Sequence, residues 1–217
     1  MKNNKEHDTM SGSTVYIIDD DEAVCDSLGI LLSSIGLKNK GYLSANEFLE
    51  AYTEPEFEKD IGCIVLDVRM PGINGMDCQS KLNDLNNTLP IIIITGHADI
   101  PMAIEAMKNG AFDFMEKPFR EQALLTSVQN AINKSKQEHL HLEHILQTQD
   151  CLASLTERET QILHCIVDGK ANKVIASELN ISERTVEVHR AHLMEKMKAT
   201  SLAHLIRLYL DVIQNSE

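Results

Sequence analysis

Four short groups in this 217-residue chain bring oxygen acids, a hydroxyl and an amine in a set order: Asp19-Asp20-Asp21, Asp67, Thr95-Gly96 and Lys117-Pro118. Three carboxylates brought together with nothing between them repel, and a hard divalent cation such as Mg²⁺ relieves this through oxygen ligands. A hydroxyl and an ammonium group then complete a site for an anion carrying several oxygens. A carboxylate attacking a phosphoryl group makes an acyl phosphate, a step that rests on positioning and on neutralising charge. On this reading Asp67 is the nucleophile, Asp19 and Asp20 hold Mg²⁺, and Lys117 and Thr95 contact phosphoryl oxygens. Taken singly, each residue has a plain structural explanation; their joint order carries the reading.

The elements that must position them alternate short apolar runs with helix-period segments, the pattern of βαβ units on a parallel sheet. Strands are predicted at Val15–Ile18, Leu37–Leu43, Ile61–Leu66, Ile91–Thr95 and Phe112–Met115. Caps mark the helices between them: Asp21, Ser44 with Glu47, and Asp99 followed by Pro101. In an open parallel sheet, function gathers at the carboxyl ends of the strands, where all four groups fall. The fold class expected is a doubly wound α/β domain with a five-stranded parallel sheet in the order 2-1-3-4-5, over residues 14–121, after a disordered tail at 1–13.

Residues 122–151 continue in a helical pattern. Leu125, Val128, Ile132, Ser135, His139, Leu142, Leu146 and Gln149 recur at spacings of three and four, a heptad seam that either pairs with a second copy or marks a solvated joining helix. Residues 152–217 are helical throughout, with a capping-box spacing at Thr156 and Glu159 and a short helix, a turn at Asn180-Ile181-Ser182 and a Ser-capped helix over 183–197. That is a helix-turn-helix layout. Val186, His189, Leu193 and Met197 lie on its inward side, and Arg184, Glu187, Val188 and Ala191 face out toward a DNA major groove. Lys173, Arg190 and Lys196 are candidate phosphate contacts, the capped start over Ser182, Arg184 and Thr185 offers backbone donors, and Glu187 is a candidate acceptor for cytosine N4.

The formal charge of −13 argues against a generally basic nucleic-acid binder, but the acid is concentrated: residues 1–121 hold 10 Lys+Arg and 21 Asp+Glu, and residues 152–217 hold 8 and 9. The output half is thus close to neutral, and weak binding as a monomer is expected, offset by coupling of two half-sites in a dimer. Five cysteines without a CxxC pair read as buried thiols. No apolar run is of membrane-spanning or leader character, so a cytoplasmic protein without membrane contact is expected.

The stretches IIDDDE, LDVRMPGINGMD and IIIITGHADIPMAIEAMKNGAFDFMEKPF resemble bacterial two-component receiver domains, and closely the FixJ subgroup. The resemblance implies a phospho-acceptor at Asp67 and one Mg²⁺ held by Asp19, Asp20, Asp67 and the backbone carbonyl of Arg69. It also implies a switch pair in Thr95 and Phe114, a cis peptide before Pro118, and a dimer surface including Ile104 and Lys108. Residues 155–210 resemble the LuxR-type (NarL/FixJ) helix-turn-helix from end to end. Together they imply a transcription regulator, activating in sense, whose partners are a sensor histidine kinase, DNA, RNA polymerase and, when phosphorylated, a second copy. Its chemistry would be limited to self-phosphotransfer and autodephosphorylation at Asp67. Two rivals are a Mg²⁺-dependent phosphatase or phosphotransferase using Asp67 on an external substrate and a regulator that signals by partner binding without phosphorylation.

Overall fold

The computed structural model describes residues 12–53, 57, 60–97 and 99–215. The expected N-terminal tail lies outside them except for Gly12 and Ser13, and Ser13 is already buried. No helix among the described residues is long and apolar enough to cross a membrane. The chain divides into two compact units, Met1–His139 and Leu140–Glu217, each described by itself below.

In the first unit the strands β1 (Thr14–Ile18), β2 (Lys38–Tyr42), β3 (Gly62–Asp67), β4 (Ile91–Thr95) and β5 (Asp113–Glu116) form one sheet in the order β2-β1-β3-β4-β5. All four pairings are parallel. The central strands β3 and β4 are buried at every residue, which is why they read as continuous apolar runs. Their side chains divide by parity between two cores. Tyr16, Ile18, Ile64, Leu66, Ile91 and Ile93 pack with Phe48, Leu82 and Ala106, whereas Val15, Ile17, Cys63, Val65, Ile92 and Ile94 pack with Leu28, Leu32, Leu124 and Val128. The helices α2 (Ala45–Tyr52), α3 (Gly75–Asp84) and α4 (Ile100–Lys108) therefore cover one face, and α1 (Glu22–Ser34) and the start of α5 (Glu121–Ala153) cover the other. Each fully buried Ile or Leu contributes about 1.5–3 kcal/mol of transfer free energy, and this sandwich fixes the strand ends.

The caps act as their sequences dictate. Asp21 Oδ1 accepts the Ala23 N–H at 2.9 Å, and Ser44 Oγ accepts the Glu47 N–H at 3.2 Å. Asp99 Oδ1 accepts the Met102 N–H at 2.7 Å, with Pro101 in the first turn. The last strand begins one residue later than expected, because Phe112 belongs to the turn out of α4; its N–H still bonds Ile91 O at 2.7 Å.

The heptad seam divides. Val128 and Ile132 of the seam are fully buried in the sheet's second core beside Leu124 and Ala131, Leu125 is partly buried there, and Ser135 Oγ accepts the Gly62 N–H at 3.2 Å. Leu142 and Leu146 are exposed. A stripe packed on a sheet and a coiled-coil seam share spacings of three and four, so periodicity alone could not separate them.

In the second unit α6 (Glu157–Val167), α7 (Asn172–Glu178), α8 (Glu183–Lys196) and α9 (Leu202–Gln214) enclose a core of Ile162, Leu163, Ile175, Val186, Leu193 and Leu205, with Cys151 and Leu152 of α5 packed against it. Thr156 and Glu159 form a complete capping box. Ser182 Oγ caps α8 through the Thr185 N–H at 3.1 Å. Asn180 takes a left-handed φ of 53° in the turn between α7 and α8, a conformation Asn tolerates better than most residues.

Candidate functional site

The parallel register brings the ends of β1, β3, β4 and β5 to one edge of the sheet, and with them Asp19, Asp67, Thr95 and Lys117. Asp19, Asp67 and Thr95 are buried although polar. The Lys117 ammonium bridges the two acids, 2.5 Å from Asp19 Oδ2 and 2.7 Å from Asp67 Oδ1. Asp67 Oδ2 accepts the Arg69 N–H at 2.6 Å, and Asp19 Oδ1 accepts the Asp21 N–H at 3.0 Å. Burial pushes the Asp19 carboxyl above its ordinary range, outweighing the Lys117 hydrogen bond. Burial pulls Lys117 down, but the hydrogen bonds and charges of Asp19 and Asp67 leave it raised. The peptide joining Lys117 to Pro118 is cis.

Asp20 is exposed, and among the described residues no three acidic, His or Cys side chains stand together in a metal-holding group. The Asp19 and Asp67 carboxylates, both on Lys117, nevertheless offer oxygen donors side by side. That suits Mg²⁺, which commonly takes one or two protein carboxylates and keeps several waters. Among the described residues the Thr95 hydroxyl makes two long contacts, both 3.4 Å, with the backbone of His97. Phe114 is partly buried beside the core that includes Ala106.

Gly75 is a site residue that chemistry-first reading passes over. A Cβ there would lie 2.2 Å from the Asp67 carbonyl oxygen, so only glycine lets α3 start against the strand end. Asn74 caps that helix, accepting the Asp77 N–H at 2.9 Å. The Asn-Gly pair with an acid three residues after the Asn was a legible start signal.

On the second unit Arg184, Glu187, Val188 and Ala191 are exposed along α8, and Val186 and Leu193 are fully buried on its other side. Lys173 is exposed on α7. Other expected contacts are engaged within the unit. Lys196 Nζ bonds Glu159 Oε2 at 2.7 Å and Ser154 O at 3.1 Å, and Arg190 Nη1 donates to Asn172 Oδ1 at 2.9 Å. The Thr185 N–H is committed to the Ser182 cap. On α4, Ile104 and Lys108 are exposed and line an apolar groove with Ile100, Ala103 and Met107.

Residues 15–129 match the model of the response regulator receiver domain, and residues 153–209 that of the bacterial regulatory proteins of the luxR family. The chain is 46% identical to the transcriptional regulatory protein FixJ of Azorhizobium caulinodans, over 90% of this chain and 91% of that one. It is 43% identical to the response regulator protein TmoT of Ectopseudomonas mendocina, over 94% and 91%. Among solved structures, the response regulator StyR superposes with a TM-score of 0.80 at 41% identity, covering 92% of this chain and 98% of that one. A receiver takes its phosphoryl group on an aspartate from a sensor kinase, and a LuxR-type domain binds DNA. The sheet order, the acid-lined strand ends and the helix-turn-helix that follows thus have one explanation: the chain belongs to the two-component response regulators with a LuxR-type DNA-binding domain, the FixJ-like group of transcription regulators.

Proposed function

We propose that Asp67 is the phospho-acceptor of this regulator and that its phosphorylation drives dimerisation and binding to a two-fold DNA site, activating transcription together with RNA polymerase. The observation that carries the reading is the Lys117 ammonium lying between Asp19 and Asp67. An oxygen of Asp67 bonds phosphorus as the donor's phosphorus–nitrogen bond breaks, and the leaving imidazole of the kinase takes up a proton. Lys117, already 2.7 Å from Asp67, needs only a short movement to reach a phosphoryl oxygen. Mg²⁺, which receivers generally bind, would be held by Asp19, Asp67 and the Arg69 carbonyl, with Asp20 beside it, and supplies charge neutralisation to the transferred oxygens. Later attack by water on the phosphoryl group resets the site.

The acyl phosphate offers Thr95 a stronger acceptor than the His97 backbone. The hydroxyl turns inward, Phe114 follows, and α4 with β5 changes its outward surface, including Ile104 and Lys108. Two receivers joined through that face present two copies of α8. Arg184, Glu187 and Val188 then read base edges, while Lys173, Arg190 and the start of α8 at Ser182 and Thr185 meet the phosphate backbone.

Incubation with acetyl phosphate tests the central claim. The wild-type chain takes up acid- and base-labile phosphate in a Mg²⁺-dependent manner, and Asp67→Asn takes up none. Normal uptake by Asp67→Asn overturns the assignment. Footprinting the phosphorylated protein on genomic fragments then identifies the operator.

A further inference from the structure

The fixing of α4 to its neighbours is lopsided. Ala106 is its only buried residue; at the amino end Ile100 is largely exposed and Met102 is partly buried against the core. Two side chains of α3 reach across to the other end. Gln79, with no exposed surface, donates from Nε2 to Ala106 O at 3.1 Å and to Asn109 O at 3.2 Å. Asn83 donates to the same Asn109 O at 2.8 Å. Both Gln79 partners are carbonyls, so the amide nitrogen must face them, and its buried oxygen meets no donor among the described residues. Burying an amide this completely is costly unless the bonds it makes matter, and here they bind the last turn of one helix to its neighbour. Ala106 O also accepts the Ala111 N–H at 3.0 Å, so the Gln79 contact lies where α4 turns back toward β5.

We propose that Gln79, assisted by Asn83, is a positioning residue that pins the carboxyl end of α4, so that activation swings the amino end of the helix about Ala106. At the amino end, among the described residues, the Met102 and Ala103 N–H groups are held by Asp99 alone, and Met102 is the side chain that packs on the core, partly buried, with no polar tie to α3. A pinned helix that swings changes the angle of the exposed Ile100 and Ile104 while keeping the turn into β5 in place. The swing rests on the proposed phosphorylation of Asp67, but the pin does not.

Amide-resolved hydrogen exchange on the full chain, with and without beryllofluoride as acyl-phosphate mimic, separates the two. In the wild type, beryllofluoride changes exchange at Met102 and Ala103 by about tenfold and leaves Gly110 and Ala111 nearly unchanged. Without activation, Gln79→Met, which keeps the volume and removes the donors, lowers protection of Ala111 by about tenfold. Asn83→Ala, on the surface and harmless to folding, moves the same amide in the same direction. Equal changes at both ends of α4 on activation overturn the pin, as does an Ala111 amide indifferent to both substitutions. If beryllofluoride alters no amide, not even that of Arg69, the failure belongs to the phosphorylation reading, and the comparison without activation decides the pin alone.

Discussion

The Glu159 carboxylate holds the Lys196 ammonium at 2.7 Å while accepting the Thr156 N–H at 2.8 Å, so one buried acid both closes the start of α6 and secures the end of α8. The Lys196 hydrogen bond is the main reason its carboxyl lies low, at about 2. A depressed folded pKa means stability that is fully present above the unfolded value near 4.5 and is lost as pH falls toward 2. Glu159→Gln keeps a capping side chain and removes the charge, so it lowers stability at neutral pH by about 1 kcal/mol, Lys196 being partly exposed and screened. Thermal unfolding of the two proteins from pH 7 to pH 2.5 shows this difference shrinking below about pH 4.5.

Lys196 and Lys173 respond differently to removal. Lys173→Ala reduces affinity for any DNA and lowers the slope of log affinity against log salt by about one, as loss of one phosphate contact does. Lys196→Ala lowers the melting temperature of the DNA-binding unit and changes the salt slope less. Fluorescence anisotropy across a salt series, with calorimetry beside it, measures both.

Removing the amine between Asp19 and Asp67 leaves two buried like charges. Lys117→Met therefore lowers stability by about 2 kcal/mol, less than a wholly buried pair would because Lys117 keeps some contact with water. Mg²⁺ replaces the missing cation, and millimolar Mg²⁺ raises the melting temperature of the variant more than that of the wild type.

Gly75→Ala places a methyl group against the Asp67 carbonyl and must displace the loop that carries Arg69. Overpacking of this kind costs about 1–3 kcal/mol. Phosphate uptake from acetyl phosphate slows as well, because the displaced backbone is the one that bonds Asp67 Oδ2.

Ile104 is 50% exposed, so a charge there is tolerated by the monomer. Ile104→Glu keeps the wild-type melting temperature and still takes up phosphate, yet stays monomeric in sedimentation with beryllofluoride, whereas the wild type dimerises.

The parts of the fold legible in the sequence are those set by local chemistry. Asp99 before Pro101, Ser182 before Glu183, and Thr156 with Glu159 each specify a helix start through backbone N–H groups two or three residues away. The two-sided burial of β3 and β4 could likewise be read from unbroken apolar runs. Illegible were features that depend on distant neighbours. Lys196 looked like a DNA contact because its partner Glu159 lies 37 residues earlier, and the pattern from Leu125 to Gln149 looked like one seam because nothing local records that the sheet covers its first half. At the strand ends the sequence supplied the residue types and their order, but that Lys117 would bridge Asp19 and Asp67 depends on β5 lying two strands away from β3.

The internal engagement of Lys170 by Glu178 and Asp168, and of Lys196 by Glu159, has a consequence at the scale of the chromosome. A regulator with little spare positive charge is poorly retained by bulk DNA, which in a genome offers roughly 10⁶–10⁹ competing sites. On the function proposed above, unphosphorylated molecules then stay in free solution, open to the kinase, and a phosphorylated pair reaches its operator without first being released from the rest of the genome.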